Sequence, residues 1–139
     1  LFHPGGALGR RLLLTVADIM RTGRMNPQVA SDKTVSYVLL KITQARAGAA
    51  LVVNNSGRLL GIFTDGDLRR HLESDPDLPH RRIADVMTRD PLVVRKDTLA
   101  AEALHCMEER KIDELPVVDN RGRAVGLLDV QDLLRAGIV

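Results

Sequence analysis

The chain has 139 residues, 45% of them apolar, and its 20 Lys and Arg against 18 Asp and Glu leave a net charge of +2. So even a balance is not the basic footprint of a nucleic-acid binder, and at 2% aromatic residues the chain has no platform for stacking bases. No apolar run approaches the ~20 residues that span a bilayer, so neither nucleic acid nor a membrane is an expected partner.

A chain of this length can bury roughly 68% of its unfolded surface, enough for one domain or for two small units sharing a core. The core must come from Leu, Val, Ile, Ala and Met. Cys106 stands alone, so no internal disulfide forms and a reducing, cytoplasmic compartment is expected. The chain opens at Leu1 rather than Met and shows no leader, which suggests a segment of a longer cytoplasmic protein.

In chain order, Leu1 to Arg11 carries Pro4, Gly5, Gly6 and Gly9 and reads as a loop or linker. It lacks the Gly-Lys-Ser/Thr end of a P-loop. Leu12 to Met20 reads as a short helix. Its end, Val16-Ala17-Asp18-Ile19-Met20, returns as Ile83-Ala84-Asp85-Val86-Met87, and both read as linker-like helices. Asn26-Pro27-Gln28-Val29 matches Asp90-Pro91-Leu92-Val93, with the proline opening an edge strand. A helix follows in each copy, with Val35, Val38, Leu39 and Ile42 in one and Ala100, Ala103, Leu104 and Met107 in the other at i, i+3, i+4, i+7. Polar start residues, Ser31-Asp32 and Asp97-Thr98, precede them. Core packing accounts for Cys106 and Met107.

Two strands joined by a tight turn come next. Residues 49–53 and 59–63 flank Asn54-Asn55-Ser56-Gly57, and residues 114–118 and 124–128 flank Asp119-Asn120-Arg121-Gly122. A closing helix runs from Asp65 to about Glu73, and its counterpart from Asp129 to about Ala136. Ser74 to Pro79 is a loop between copies. Gly61 and Gly126 are 65 residues apart, as are Asp67 and Asp132, so the chain is a tandem β-α-β-β-α repeat. Two such units bury their open sheet faces against each other with pseudo-twofold symmetry, in an α/β (α+β) architecture. The cleft between them is a natural ligand site.

The corner Gly61-Ile62-Phe63-Thr64-Asp65-Gly66-Asp67-Leu68-Arg69-Arg70 is a strand running into a helix. Thr64 and Asp67 have capping-box spacing, and a helix start with a free hydroxyl and backbone N–H groups also attracts phosphate. The spacing fits a cap, a ligand site, or both. In the second copy Asp129 replaces the Thr, with Asp132 three later. Asp is a good N-cap, but a second carboxylate repels phosphate. That corner is therefore expected to be weaker, empty or a cation site, and two carboxylates are too few to define a metal site. Asn26, Pro27, Gln28, Pro91 and Leu92 are expected to line the cleft through backbone atoms, with Gly48-Ala49 and Asp113-Glu114 as walls. His71, His80 and His105 lack catalytic or metal spacing.

The duplicated Gly-h-h-Thr-x-x-Asp pattern, with h apolar, resembles the cystathionine-β-synthase (CBS) domain, two copies of which form a Bateman module. The resemblance covers roughly Val16 to Gly137. With His3-Pro4-Gly5-Gly6-Ala7-Leu8-Gly9-Arg10 ahead of it, the chain is similar to the C-terminal part of arabinose-5-phosphate isomerases, which join a sugar isomerase (SIS) domain to a CBS pair. That family interconverts ribulose 5-phosphate and arabinose 5-phosphate on the route to 3-deoxy-manno-octulosonate (Kdo), a sugar of lipopolysaccharide or capsule. The resemblance implies residues 1–15 as the tail of a missing isomerase domain, residues 16–75 as the first CBS repeat and residues 76–139 as the second. It implies a catalytic role for His3 only beside that missing domain, so this segment alone is not an enzyme.

By the same resemblance Thr64 and Asp67 hold a nucleotide, Thr at phosphate or ribose and Asp on ribose hydroxyls, with Asp65, Arg69, Asn26, Pro27, Asp129 and Asp132 around the cleft. No cofactor is required. The implied regulatory ligand is AMP, ADP or ATP, or a nucleotide sugar such as CMP-Kdo, and self-association into a homodimer, with a tetrameric parent, is implied. The alternatives are a structural dimerisation module without ligand and a stand-alone adenine-nucleotide sensor.

Overall fold

The computed structural model describes residues 6–138. Each copy builds its main helix on the expected apolar stripe. The first, α3 (Val35–Ala45), buries Val35, Val38, Ile42 and Ala45; the second, α6 (Ala100–Arg110), buries Ala100, Ala103, Leu104 and Met107. Cys106 sits beside that stripe and is half-buried. The caps differ from expectation. Thr34, not Ser31 or Asp32, caps α3 by accepting from the Tyr37 N–H at 3.2 Å. Leu99 at the start of α6 has no capping side chain, and the free Ala100 N–H donates to the Leu14 carbonyl at 2.8 Å. Both helices end in a left-handed residue, Arg46 (φ 52°) and Lys111 (φ 55°).

The N-terminal segment corrects the linker reading. Residues Gly6–Leu13 form a helix, α1, because Leu and Arg are strong helix formers and Gly costs only ~1 kcal/mol at each place. The single helix expected over 12–20 is broken at Leu14. Thr15 and Asp18 form a capping pair, the Thr15 N–H donating to Asp18 Oδ2 at 2.8 Å, and α2 (Val16–Ile19) starts afresh. Its counterpart is α5 (Ile83–Val86). A short 3₁₀ turn (Leu78–His80) interrupts the expected inter-copy loop and buries Leu78.

Two sheets carry the strands. The first orders β1 (Gln28–Ala30), β2 (Ala49–Val53), β3 (Leu59–Thr64) and β4 (Thr88–Arg89); the second orders β5 (Val94–Arg95), β6 (Glu114–Val118) and β7 (Ala124–Asp129). Within each, the hairpin pair is antiparallel, β2 with β3 and β6 with β7, while β1–β2 and β5–β6 are parallel. The strand match needs a correction of one residue. Val29 pairs with Val52 and Val94 with Val117, so Pro91 is the counterpart of Asn26 and not of Pro27. The second sheet also starts later, for a covalent reason: Leu51 donates its N–H to the Pro27 carbonyl at 2.9 Å, but its counterpart is Pro116, which has no N–H to give.

The lead-in helices exchange partners across the pair. Ile83 and Met87 lie in the core with Val35, Val38, Phe63 and Leu78, whereas Val16 lies in the core with Ala103, Met107, Leu115 and Leu133. Backbone pairing follows the same rule. The Arg81 carbonyl accepts from Val35 N–H and the Leu14 carbonyl from Ala100 N–H. β4 pairs with β3, while Arg21 bridges to Leu127 of β7. A third apolar cluster, Ala49, Leu51, Ile62 and Leu127, joins the two sheets. The hairpin tips meet as well, Leu59 N–H donating to the Gly122 carbonyl and Ala124 N–H to the Gly57 carbonyl, both at 2.9 Å. After β3 and β7 come the closing helices α4 (Asp65–Leu72) and α7 (Val130–Arg135).

Candidate functional site

At the end of β3 the chain turns into α4 through a complete capping box. The Thr64 hydroxyl accepts from the Asp67 N–H at 3.1 Å, and Asp67 Oδ2 accepts from the Thr64 N–H at 2.9 Å. Asp67 is only 5% exposed. Its other oxygen, Oδ1, accepts from the Arg70 guanidinium and from the Thr88 hydroxyl at 3.4 Å. One carboxylate therefore caps with one oxygen and turns the other toward Thr88 and Arg70.

Both of those residues line a cleft of about 490 Å³, inside the ~300–1,000 Å³ range of small-molecule sites. Repeat one supplies Thr64, Asp65, Asp67, Arg69 and Arg70. The connecting segment adds Thr88, Pro91 and Leu92, and repeat two adds Lys111, Asp113, Glu114 and Pro116. Pro116, which cost the second sheet a hydrogen bond, thus forms part of this wall.

The electrostatics of the cleft are uneven. Burial pushes Glu114 up to about 8, helped by the nearby carboxylates of Asp129, Asp113, Asp65 and Asp67. At neutral pH its carboxyl is largely protonated and presents an O–H donor beside a C=O acceptor. Asp65 is also raised, first by burial, against the pull of Arg69 and with a push from Asp129. Three cations, Arg69, Arg70 and Lys111, stand at the cleft wall and are exposed.

The structure gathers Thr64, Asp65, Asp67 and Arg69 in this cleft, with Pro91, Leu92, Asp113 and Glu114, and places the other candidates elsewhere. Asn26 and Pro27, with Gln28, line a separate hollow of about 770 Å³ beside Tyr37 and Lys41. Asp129 is buried and caps α7 by accepting from the Gln131 N–H at 2.8 Å. Asp132 lines a third hollow with Arg21. The corners at Thr64 and Asp129 thus do not share one cleft. His3 lies outside the described residues. His71 contacts the Val86 carbonyl at 3.2 Å, His80 pairs with Asp77 and His105 with Glu109.

Sequence reasoning passed over Arg21, Thr88 and Lys111. Extending the match of residues 16–20 with 83–87 by one position would have set Arg21 against Thr88 and shown the two corners to differ there too. Among the described residues no cluster of three or more His, Cys, Asp or Glu is placed to hold a metal, and no helix is long and apolar enough to cross a membrane.

Two sheets exchanging their lead-in segments, with a cleft at the start of the first closing helix, form a paired module, and the sequence agrees: residues 16–74 and 83–138 each match the CBS domain, and the chain belongs to that family. It is 49% identical over 137 residues to the arabinose 5-phosphate isomerase KdsD of Pseudomonas aeruginosa and 47% identical over 139 residues to that of Yersinia pestis. These matches take in 99% and 100% of this chain but only 42% of each relative's length. Among solved structures, CBSX2 in complex with AMP superposes with a TM-score of 0.76 at 28% identity, over 90% of this chain and 96% of that one.

Proposed function

We propose that the chain is the regulatory, ligand-binding CBS pair of a cytoplasmic, self-associating arabinose-5-phosphate isomerase, within Kdo and lipopolysaccharide or capsule biosynthesis. It takes a nucleotide or nucleotide sugar in the cleft at Thr64 and Asp67. The observation that carries this reading is Asp67, a buried carboxylate whose Oδ1 points toward the cleft-lining Thr88. It is supported by the identity to KdsD proteins across the whole chain and by AMP in the structural relative.

The groups suit a nucleotide. A carboxylate oxygen accepts from ribose hydroxyls. Arg69, Arg70 and Lys111 supply charge for phosphate. A protonated Glu114 offers a donor beside an acceptor, complementary to the acceptor–donor edges of adenine and of cytosine. Both AMP-class ligands and CMP-Kdo therefore remain candidates on the same chemistry.

The test is a thermal-shift series with AMP, ADP, ATP, CMP and CMP-Kdo, with Thr64→Ala/Asp67→Ala as control. A ligand at a hundred times its Kd stabilises by about 2.7 kcal/mol, which is about 5–10 °C for a domain of this size. A shift with one ligand that the double variant loses supports the reading. No shift with any of them refutes it and leaves a module that only associates.

A further inference from the structure

The second corner is built differently from the first: the hollow beside it, about 510 Å³, is lined by Asp18, Arg21, Asp132 and Arg135, and Asp129 is not among its walls. Four matched positions define the two corners. Asp132 matches Asp67, Arg46 matches Lys111 as the left-handed residue ending the main helix, Asp129 matches Thr64, and Arg21 matches Thr88 on the lead-in segment. In the first corner Thr88 is short and Asp67 spends one oxygen on its own helix cap. In the second, both oxygens of Asp132 turn to guanidinium groups. Oδ2 accepts from Arg21 Nε at 2.7 Å, while Oδ1 accepts from Arg21 Nη2 at 3.4 Å and from Arg135 Nη1 at 3.3 Å. The third nitrogen, Arg21 Nη1, donates to the Arg46 carbonyl at 2.9 Å.

Arg21 is 9% exposed, and its backbone is fixed to β7 by two hydrogen bonds with Leu127, at 2.8 and 3.0 Å. Its side chain therefore spans from the closing helix of repeat two to the main helix of repeat one. These are the two groups, an aspartate and a helix end, whose counterparts Asp67 and Lys111 both line the first cleft.

We propose that the second corner is a guanidinium-binding site occupied in cis by Arg21, so that the two corners of one chain do not offer an incoming ligand the same site. Its selectivity is cationic, set by Asp132 and the Arg46 carbonyl. The planar fork of guanidinium meets both at once, which an ammonium on one point cannot. This assignment stands independently of what binds at Thr64 and Asp67.

The experiment is chemical rescue. Arg21→Thr copies the residue that stands at the matching place in the first corner. It is melted in increasing methylguanidinium chloride at constant ionic strength, with ammonium chloride as control. Expected is a lower Tm than the native chain and a saturable rise in Tm with methylguanidinium alone. The native chain and Arg21→Thr/Asp132→Asn should both lack that rise. If Arg21→Thr does not fold unaided, its refolding yield is the readout, with recovery by methylguanidinium and not by ammonium expected. A response to methylguanidinium no different from that of the native chain, or one that survives Asp132→Asn, overturns the proposal.

Discussion

Replacing Glu114 with Gln should make the protein more stable above neutral pH and flatten its stability-versus-pH curve. Burial holds the Glu114 proton to about 8 against an ordinary value of 4.5. Below pH 4.5 the group is protonated both folded and unfolded and contributes no slope. Between 4.5 and about 8 the unfolded chain has released the proton and the folded chain keeps it, so folding takes a proton up and stability falls as pH rises. Above that window the curve levels. The limiting slope is about 1.4 kcal/mol per pH unit. Glu114 is only half-buried and opens on a solvent-filled cleft, and screening there reduces the total; we expect about 1–2 kcal/mol lost across the window. Gln keeps the shape and the donor–acceptor pair but cannot ionise. Urea melts of both proteins from pH 5 to 9 should converge at the acid end and separate by about 1–2 kcal/mol at the alkaline end, about 3–8 °C if read by Tm. Parallel curves across the whole range would refute the argument and place Glu114 in water.

Three further perturbations test the architecture. Val16→Ala should cost about 1–3 kcal/mol and, although residue 16 opens repeat one, it should speed amide exchange in α6 and β6 of repeat two; faster exchange confined to α3 and β2 would contradict the exchanged lead-in segments. A methyl at Gly61 or at Gly126 meets a Met Sδ at 2.6 Å, of Met87 and of Met20, but Gly61→Ala also comes within 2.7 Å of the Thr88 carbonyl, whereas Gly126→Ala stays 3.0 Å from that of Arg21. Gly61→Ala should therefore lower Tm more than Gly126→Ala, and equal losses would argue against the close approach of β3 to the connecting segment. At acid pH, Asp119→Asn should remove part of the low-pH loss of stability. Backbone N–H donation from Arg123 holds that carboxylate below its usual range, so its contribution is present at neutral pH and lost as pH falls through the lowered value; an unchanged acid limb would show the turn at 119–123 indifferent to charge.

Much of this fold is legible because each unit obeys a local rule. The stripes of α3 and α6 lie in the 3.6 period, and the turns at Asn54 and Asp119 follow from side chains that accept backbone N–H groups two and four residues on. The Thr64–Asp67 box is visible as spacing. What escapes is whatever depends on two places at once. The shift that aligns Pro91 with Asn26 follows from Pro116 failing to donate across a parallel pair. The exchange of α2 and α5 depends on which core each apolar face meets, and Val16 and Ile83 look alike in sequence. The protonated state of Glu114 depends first on its burial in the folded chain, and then on Asp129 and Asp113 nearby and Asp65 from the other repeat. Even the helix at Gly6–Leu13 was hidden only by giving glycine more weight than its cost warrants.

The exchange of lead-in segments decides what a ligand in the first cleft would do. Its walls belong to repeat one at Thr64 and Asp67, to the connecting segment at Thr88 and to repeat two at Glu114 and Pro116. Binding energy there depends on how the two repeats stand to one another, and a ligand can shift that arrangement only by binding one placement better than another. Arg21 makes the second corner a fixed point in the same arrangement, because its side chain ties Asp132 of repeat two to Arg46 of repeat one. It also lies at the end of the lead-in to the body of repeat one, while Leu14 and Val16 of that lead-in are seated on repeat two. A relative movement of the repeats therefore pulls on residues 14–21 from both sides. The coupling is reciprocal: if a ligand at Thr64 and Asp67 displaces this stretch, loosening the stretch with Val16→Ala must change that ligand's affinity, and an affinity unmoved by Val16→Ala would show the cleft and the lead-in to be energetically separate.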